Sequence, residues 1–129
     1  MGARTKARKR ALDTIFEADL KGISIPNTNT NDETDVDVTS YALVLIKGIM
    51  ENQTQIDELI AGSLQNWTFD RLPKVDRSIL RIAVYELLFQ KDVPTNVVLS
   101  EAVGLAESLS TAESSSFING TLATISKKI

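Results

Sequence analysis

The segment Val75-Asp76-Arg77-Ser78-Ile79-Leu80-Arg81-Ile82-Ala83-Val84-Tyr85-Glu86-Leu87 constrains the fold more than any other in the chain. It reads as one helix that is apolar around most of its circumference. Ile79, Ala83 and Leu87 fall on one line, and Leu80, Val84 and Leu88 on the next. A helix with so little polar face has to be surrounded by others. Yet Lys74, Arg77 and Arg81 recur at helical spacing along a single stripe. The expected object is a compact helical domain whose central helix carries one basic edge to the surface, where it can meet a polyanion.

The flanking segments keep the same period. Residues 4–21 predict a first helix with Ala7, Ala11, Leu12, Ile15 and Ala18 inward and Gly22 as its stop. Residues 23–37 hold Pro26, three asparagines and four acids, and predict a polar loop. Its acids Asp32, Glu33, Asp35 and Asp37 lack the Gly and terminal Glu of a calcium loop, so solvation is the expected role. A second helix, capped by Thr39 or Ser40, runs to about Asn52 with Leu43, Ile46 and Met50 inward. A third covers 53–65 with Ile56, Leu59, Ile60 and Leu64 inward. Trp67 and Phe69 fall in a short connection, where aromatics would plug the junction between two halves. Pro73 suits the start of the central helix, which runs to about Lys91. Another helix follows from Thr95 or Asn96 to Leu109, with Val98, Ala102, Leu105, Ala106 and Leu109 inward. Ser110 or Thr111 caps the last, whose stripe is Ile118, Leu122, Ile125 and Ile129. No segment alternates with the period of a strand, so the fold class is all-α.

A length of 129 residues suits one domain, divided at 1–66 and 67–129. No apolar run approaches the ~20 residues that a membrane span needs. No apolar segment follows the basic N-terminus, so it is not read as a secretory signal, and the expected location is cytoplasmic. With neither cysteine nor histidine, the chain lacks thiolate ligands, the commonest general base and the commonest metal ligand. There is no Gly-rich phosphate loop, and Asp57 and Glu58 occupy adjacent rather than facing positions. The residues therefore describe a binding module, not an enzyme, and no cofactor or metal is expected.

The net charge of −3 hides an asymmetry. Residues 1–10 carry Arg4, Lys6, Arg8, Lys9 and Arg10 and no acid, which leaves −8 for the remainder. Cations at a helix N-terminus oppose the macrodipole at ~0.3–1 kcal/mol each, so helix stability does not explain them. A solvated helix start is one reading, and an arm that meets nucleic acid is the other. Phe117 is the second outlier. It stands one helical step off the core line, beside Ser114, Thr121 and Thr124. Either a neighbouring helix covers it or a nucleobase does, a stack worth ~1–3 kcal/mol. Ser114, Ser115, Ser116 and Asn119 around it can hydrogen-bond bases or phosphates. In the basic stripe, Lys74 and Arg77 are the expected phosphate contacts. Arg81 and Glu86, inside the apolar helix, are expected to partner core groups.

Four segments in this order resemble the NusB family of transcription antitermination factors. They are the basic start running into Ala11-Leu12-Asp13-Thr14-Ile15-Phe16, the central helix, Val93-Pro94-Thr95-Asn96-Val97-Val98-Leu99-Ser100-Glu101-Ala102-Val103, and Phe117-Ile118-Asn119-Gly120-Thr121-Leu122. The resemblance implies two small helical bundles packed at a steep angle. It also implies binding of boxA RNA with the ribosomal protein NusE, in an assembly with other Nus factors and RNA polymerase. By position, Arg4, Lys6, Arg8, Lys9 and Arg10 match the family's Arg-rich RNA-binding motif, and Phe117 an RNA-contacting aromatic. Phe16 and Asp76 match positions facing the ribosomal protein. Glu113 matches a site beside the RNA that is usually Asp. A similar domain also occurs at the N-terminus of ribosomal RNA cytosine methyltransferases. A detached domain of that kind, and a protein-only helical scaffold, are the alternatives. The sequence leaves open whether the chain forms a homodimer.

Overall fold

The computed structural model describes residues 2–25, 36–109 and 111–129. Asp32, Glu33 and Asp35 of the expected loop and the cap candidate Ser110 lie outside the described residues, whereas Asp37, also expected in the loop, is in the first turn of the helix Val36–Ala61. The elements are α1 (Ala3–Lys21), α2 (Val36–Ala61), a 3-10 turn (Phe69–Arg71), α3 (Lys74–Phe89), α4 (Thr95–Leu109) and α5 (Ala112–Ser126). Among the described residues there is no strand, and the fold is all-α.

Helix ends follow local chemistry. Gly22 closes α1 in the left-handed region at φ 67°, where a residue without Cβ is unstrained. Its amide and that of Ile23 reach back to the carbonyls of Asp19 and Ala18, so the last turn is satisfied by the backbone. Thr111 caps α5 by accepting from the Ser114 amide at 3.2 Å. Pro73 lies just outside α3 as its cap, and its carbonyl accepts from the Arg77 amide.

Two helices expected at 39–52 and 53–65 are one element, bent at Asn52 (φ −123°, ψ 20°) and ending at Ala61. The Asn52 side-chain amide donates to the Gly48 carbonyl at 2.7 Å, the oxygen a regular turn would give to the Asn52 backbone amide. A side chain inserted in the ladder is a sufficient cause of a bend. The inner face of α2 is also rotated from expectation. Tyr41, Ala42, Leu45, Ile46 and Ile49 are buried, while Met50 is exposed. Leu109 and Ile129, expected inward, are exposed as well, because each ends or overruns its helix.

Helix α3 behaves as its sequence demands. Every residue from Asp76 to Leu87 is buried. The helix packs against α1 and α2 on one side and against α4 and α5 on the other. One contiguous apolar core results, with α3 through its centre. Closeness is set partly by Gly48, where an added Cβ would run into the Tyr85 ring. Arg8 of α1 meets Glu86, whereas Asp19 of α1 meets Arg77, so α1 runs antiparallel to α3.

Candidate nucleic-acid interface

Two of the sequence-predicted RNA contacts are interior groups. Arg8 is 4% exposed. Its Nε and Nη2 donate to the two carboxylate oxygens of Glu86 at 2.9 and 2.8 Å, and its Nη1 donates to Glu101 at 2.6 Å. Thr5 also donates to Glu101, and the Tyr41 hydroxyl donates to Glu86. Burial opposes the Arg8 charge, but the Glu86 hydrogen bonds and field outweigh it and hold the guanidinium above its ordinary value. Burial pushes the Tyr41 phenol well above the usual tyrosine range, and the bond to the Glu86 carboxylate pushes it further. The expectation that Arg8 contacts RNA is therefore corrected. Its donors are spent on two carboxylates in the core, where a buried charge needs a partner.

Arg77 is corrected in the same way. Its Nε and Nη2 both reach Asp19 at 2.9 Å, and Nη1 reaches the Phe69 carbonyl. One turn on, Arg81 forms a matching two-point pair with Asp57 at 2.8 and 2.9 Å, as expected of a group partnered inside the fold. Both guanidinium groups lie over the Phe69 ring, at 5.1 and 5.5 Å. This cluster ties α1, α2, the 3-10 turn and α3 together. Of the basic stripe, Lys74 is the member that is exposed.

The remaining N-terminal cations are not an arm. They sit on the first two turns of α1. Arg4 and Lys6 are exposed, and Lys9 and Arg10 are partly so. Arg4 pairs with Asp92 at 3.3 Å and lies 4.4 Å from the Tyr41 ring centroid, while Lys9 pairs with Asp13. Both are solvated pairs of small net value, open to exchange with a phosphate. The fold places these cations at the Glu86 end of α3 and Lys74 at its start. Arg77 and Glu86 are separated by about 13 Å along the helix axis. The two basic elements therefore do not form one patch.

Phe117 is partly buried against the core, and its other edge meets Trp67, with ring centroids 6.5 Å apart and planes inclined at 62°. Trp67 does not plug a junction; it is 52% exposed. Its neighbours Asn66 and Thr68, outside any apolar period, were the available signal. The aromatic pair stands between two concavities. One, of about 360 Å³, is lined by Ser63, Gln65, Asn66, Thr121 and Thr124 as well as the two rings. The other, of about 440 Å³, includes Leu72, Pro73, Asp76 and Glu113. Ser116 lines the first and also a groove between α4 and α5 that extends to Asn96 and Ser100.

Glu113 is exposed at the start of α5. Asp76 is 3% exposed and accepts from the Ser114 hydroxyl at 3.1 Å. It contributes to the wall of the second concavity. Phe16, on α1 between the two ion-pair clusters, is partly exposed. Among the described residues, no helix is long and apolar enough to cross a membrane.

The fold is shared with known proteins. The solved structure of NusB from T. maritima superposes with a TM-score of 0.86 at 33% identity, covering 97% of this chain and 91% of that one. A crystal structure of antitermination factors NusB and NusE in complex with dsRNA has a chain that superposes at 0.85 with 27% identity, covering 98% of each. The transcription antitermination protein NusB of Clavibacter sepedonicus is 52% identical over 97% of this chain and 96% of its own length. That of Acidothermus cellulolyticus is 51% identical over 97% and 88%. Residues 5–127 match the NusB family, and the chain belongs to it.

Proposed function

We propose that this chain is a non-enzymatic antitermination factor. In this reading it binds the boxA element of nascent RNA together with the ribosomal protein NusE and joins other Nus factors on RNA polymerase in the cytoplasm. The observation that carries the reading is the half-open Trp67–Phe117 pair beside a hydroxyl-rich helix face, in a chain of this family. The similar chain seen with NusE and dsRNA supports the choice of partners.

The mechanism is assembly. Arg4, Lys6, Lys9 and Arg10 on α1 and Lys74 on α3 attract phosphates without reading sequence. RNA has to run the length of α3 to use both groups. Unpaired bases then reach Phe117, with Glu113 and the serines of α5 beside it. NusE docks on a face that includes Phe16 and lies near Asp76. Residues 1–66 and 67–129 act as two halves sharing α3 as their common wall.

The test is terminator readthrough in vitro, on templates with and without boxA upstream of the terminator. Adding the chain and NusE to the Nus factors and polymerase should raise readthrough on the boxA template alone. Equal readthrough on both templates, or none, contradicts the proposal.

A further inference from the structure

The two concavities beside Trp67 and Phe117 differ in chemistry. The first is lined by uncharged groups: Ser63, Gln65, Asn66, Thr121 and Thr124 present hydroxyls and side-chain amides. The second holds two carboxylates, Asp76 and Glu113. Cations stand outside both. Lys128 donates to the Ser63 hydroxyl at 2.9 Å and to the Gly62 carbonyl at 3.1 Å, at the rim of the neutral compartment. Lys74 follows Pro73, which lines the acidic one. Aromatic faces flanked by uncharged donors and acceptors, with ammonium groups at the outer rims, suit nucleobases inside and phosphates outside.

We infer that Trp67 is a second base-stacking residue, and that the neutral compartment behind it takes the base adjoining the one at Phe117. This rests on the RNA-binding reading above and adds to it a residue and a subsite. The planes of the two rings are inclined at 62°, so one flat stack cannot cover both, and successive bases must splay to either side. Gln65 and Asn66 each offer a donor and an acceptor, the pair of groups needed to read a base edge. The acidic compartment accepts only from bases that present donors and repels phosphate.

Trp67 is the chain's single tryptophan, so its fluorescence reports this site alone. The full chain is titrated with end-labelled single-stranded RNA containing boxA. Anisotropy reads binding, and indole emission reads stacking. We expect quenching that tracks binding, a loss of affinity of about 5- to 100-fold in Trp67→Ala, and near-normal affinity in Trp67→Phe. Asn66→Ala, at an exposed rim position, should weaken binding about 2- to 10-fold with helicity unchanged. RNA that binds with emission and Trp67→Ala affinity unaltered overturns the inference and leaves the RNA-binding reading standing. RNA that does not bind at all overturns both.

Discussion

Arg8 of α1 and Glu86 of α3 form a two-point ion pair, at 2.9 and 2.8 Å, with side chains 4% and 1% exposed. Arg8 belongs to the first basic cluster of the sequence yet faces the core. The pair fixes α1 against α3, and Tyr41 from α2 and Glu101 from α4 complete the set. Four helices thus converge on one charge pair.

Removing one partner leaves the other charged and buried. Arg8→Ala should therefore destabilise the fold by ~3–5 kcal/mol. Urea unfolding at neutral pH measures it. A loss below ~1 kcal/mol, of the size expected for a surface pair, would contradict the buried assignment.

Lys74 and Arg77 should separate cleanly. Lys74→Ala should lower RNA affinity and flatten the log–log salt dependence by about 0.7 for each phosphate that is no longer neutralised, with stability unchanged. Arg77→Ala should lower the unfolding midpoint and leave the salt slope intact, because its guanidinium belongs to Asp19. An Arg77 variant with full stability and a flattened slope would return that residue to the RNA surface.

Tyr41 couples stability to alkaline pH. Its folded-state value is raised by burial and by Glu86, so the folded protein keeps the proton after the unfolded chain begins to lose it. The contribution is complete below the ordinary tyrosine value of about 10 and is lost as pH rises through the folded value. The stability advantage over Tyr41→Phe should hold up to about pH 9 and shrink as the pH rises above about 10. An advantage that stays constant as the pH rises further would count against the buried hydroxyl–carboxylate bond.

Gly48 keeps α2 close to Tyr85. Gly48→Ala places a methyl group inside the ring's van der Waals distance and should destabilise by ~1–3 kcal/mol through overpacking. The gain in helix propensity, up to ~1 kcal/mol, works the other way. Thermal unfolding of Gly48→Ala beside Gly48→Ala/Tyr85→Leu checks the cause, since the shorter side chain should recover part of the loss.

The helices and their core were legible because burial writes a period into the sequence. The α3 segment is the clearest case, apolar around most of its circumference and buried from Asp76 to Leu87. The same periodicity could not place Arg8 or Arg77. Their carboxylate partners lie 78 and 58 residues away, and only the packed fold brings them opposite. Charge clustering in sequence therefore overstated the basic surface, with three of the fourteen cations, Arg8, Arg77 and Arg81, drawn inside. Phe117 stood out in the sequence by its position off the core line. The exposure of Trp67 was not legible, because an aromatic between helices is as compatible with a plug as with an open face. Asn52 carried no period to betray that its side chain bends one helix rather than ending it.

Antitermination by RNA and NusE recognition is tested most directly by the affinity of the full chain for boxA RNA and for a scrambled control, across a salt series, with and without NusE. Binding to boxA should be tighter than to the control, by a margin that widens when NusE is added and persists at high salt. Equal binding to both RNAs that falls steeply with salt, or no response to NusE, would contradict it.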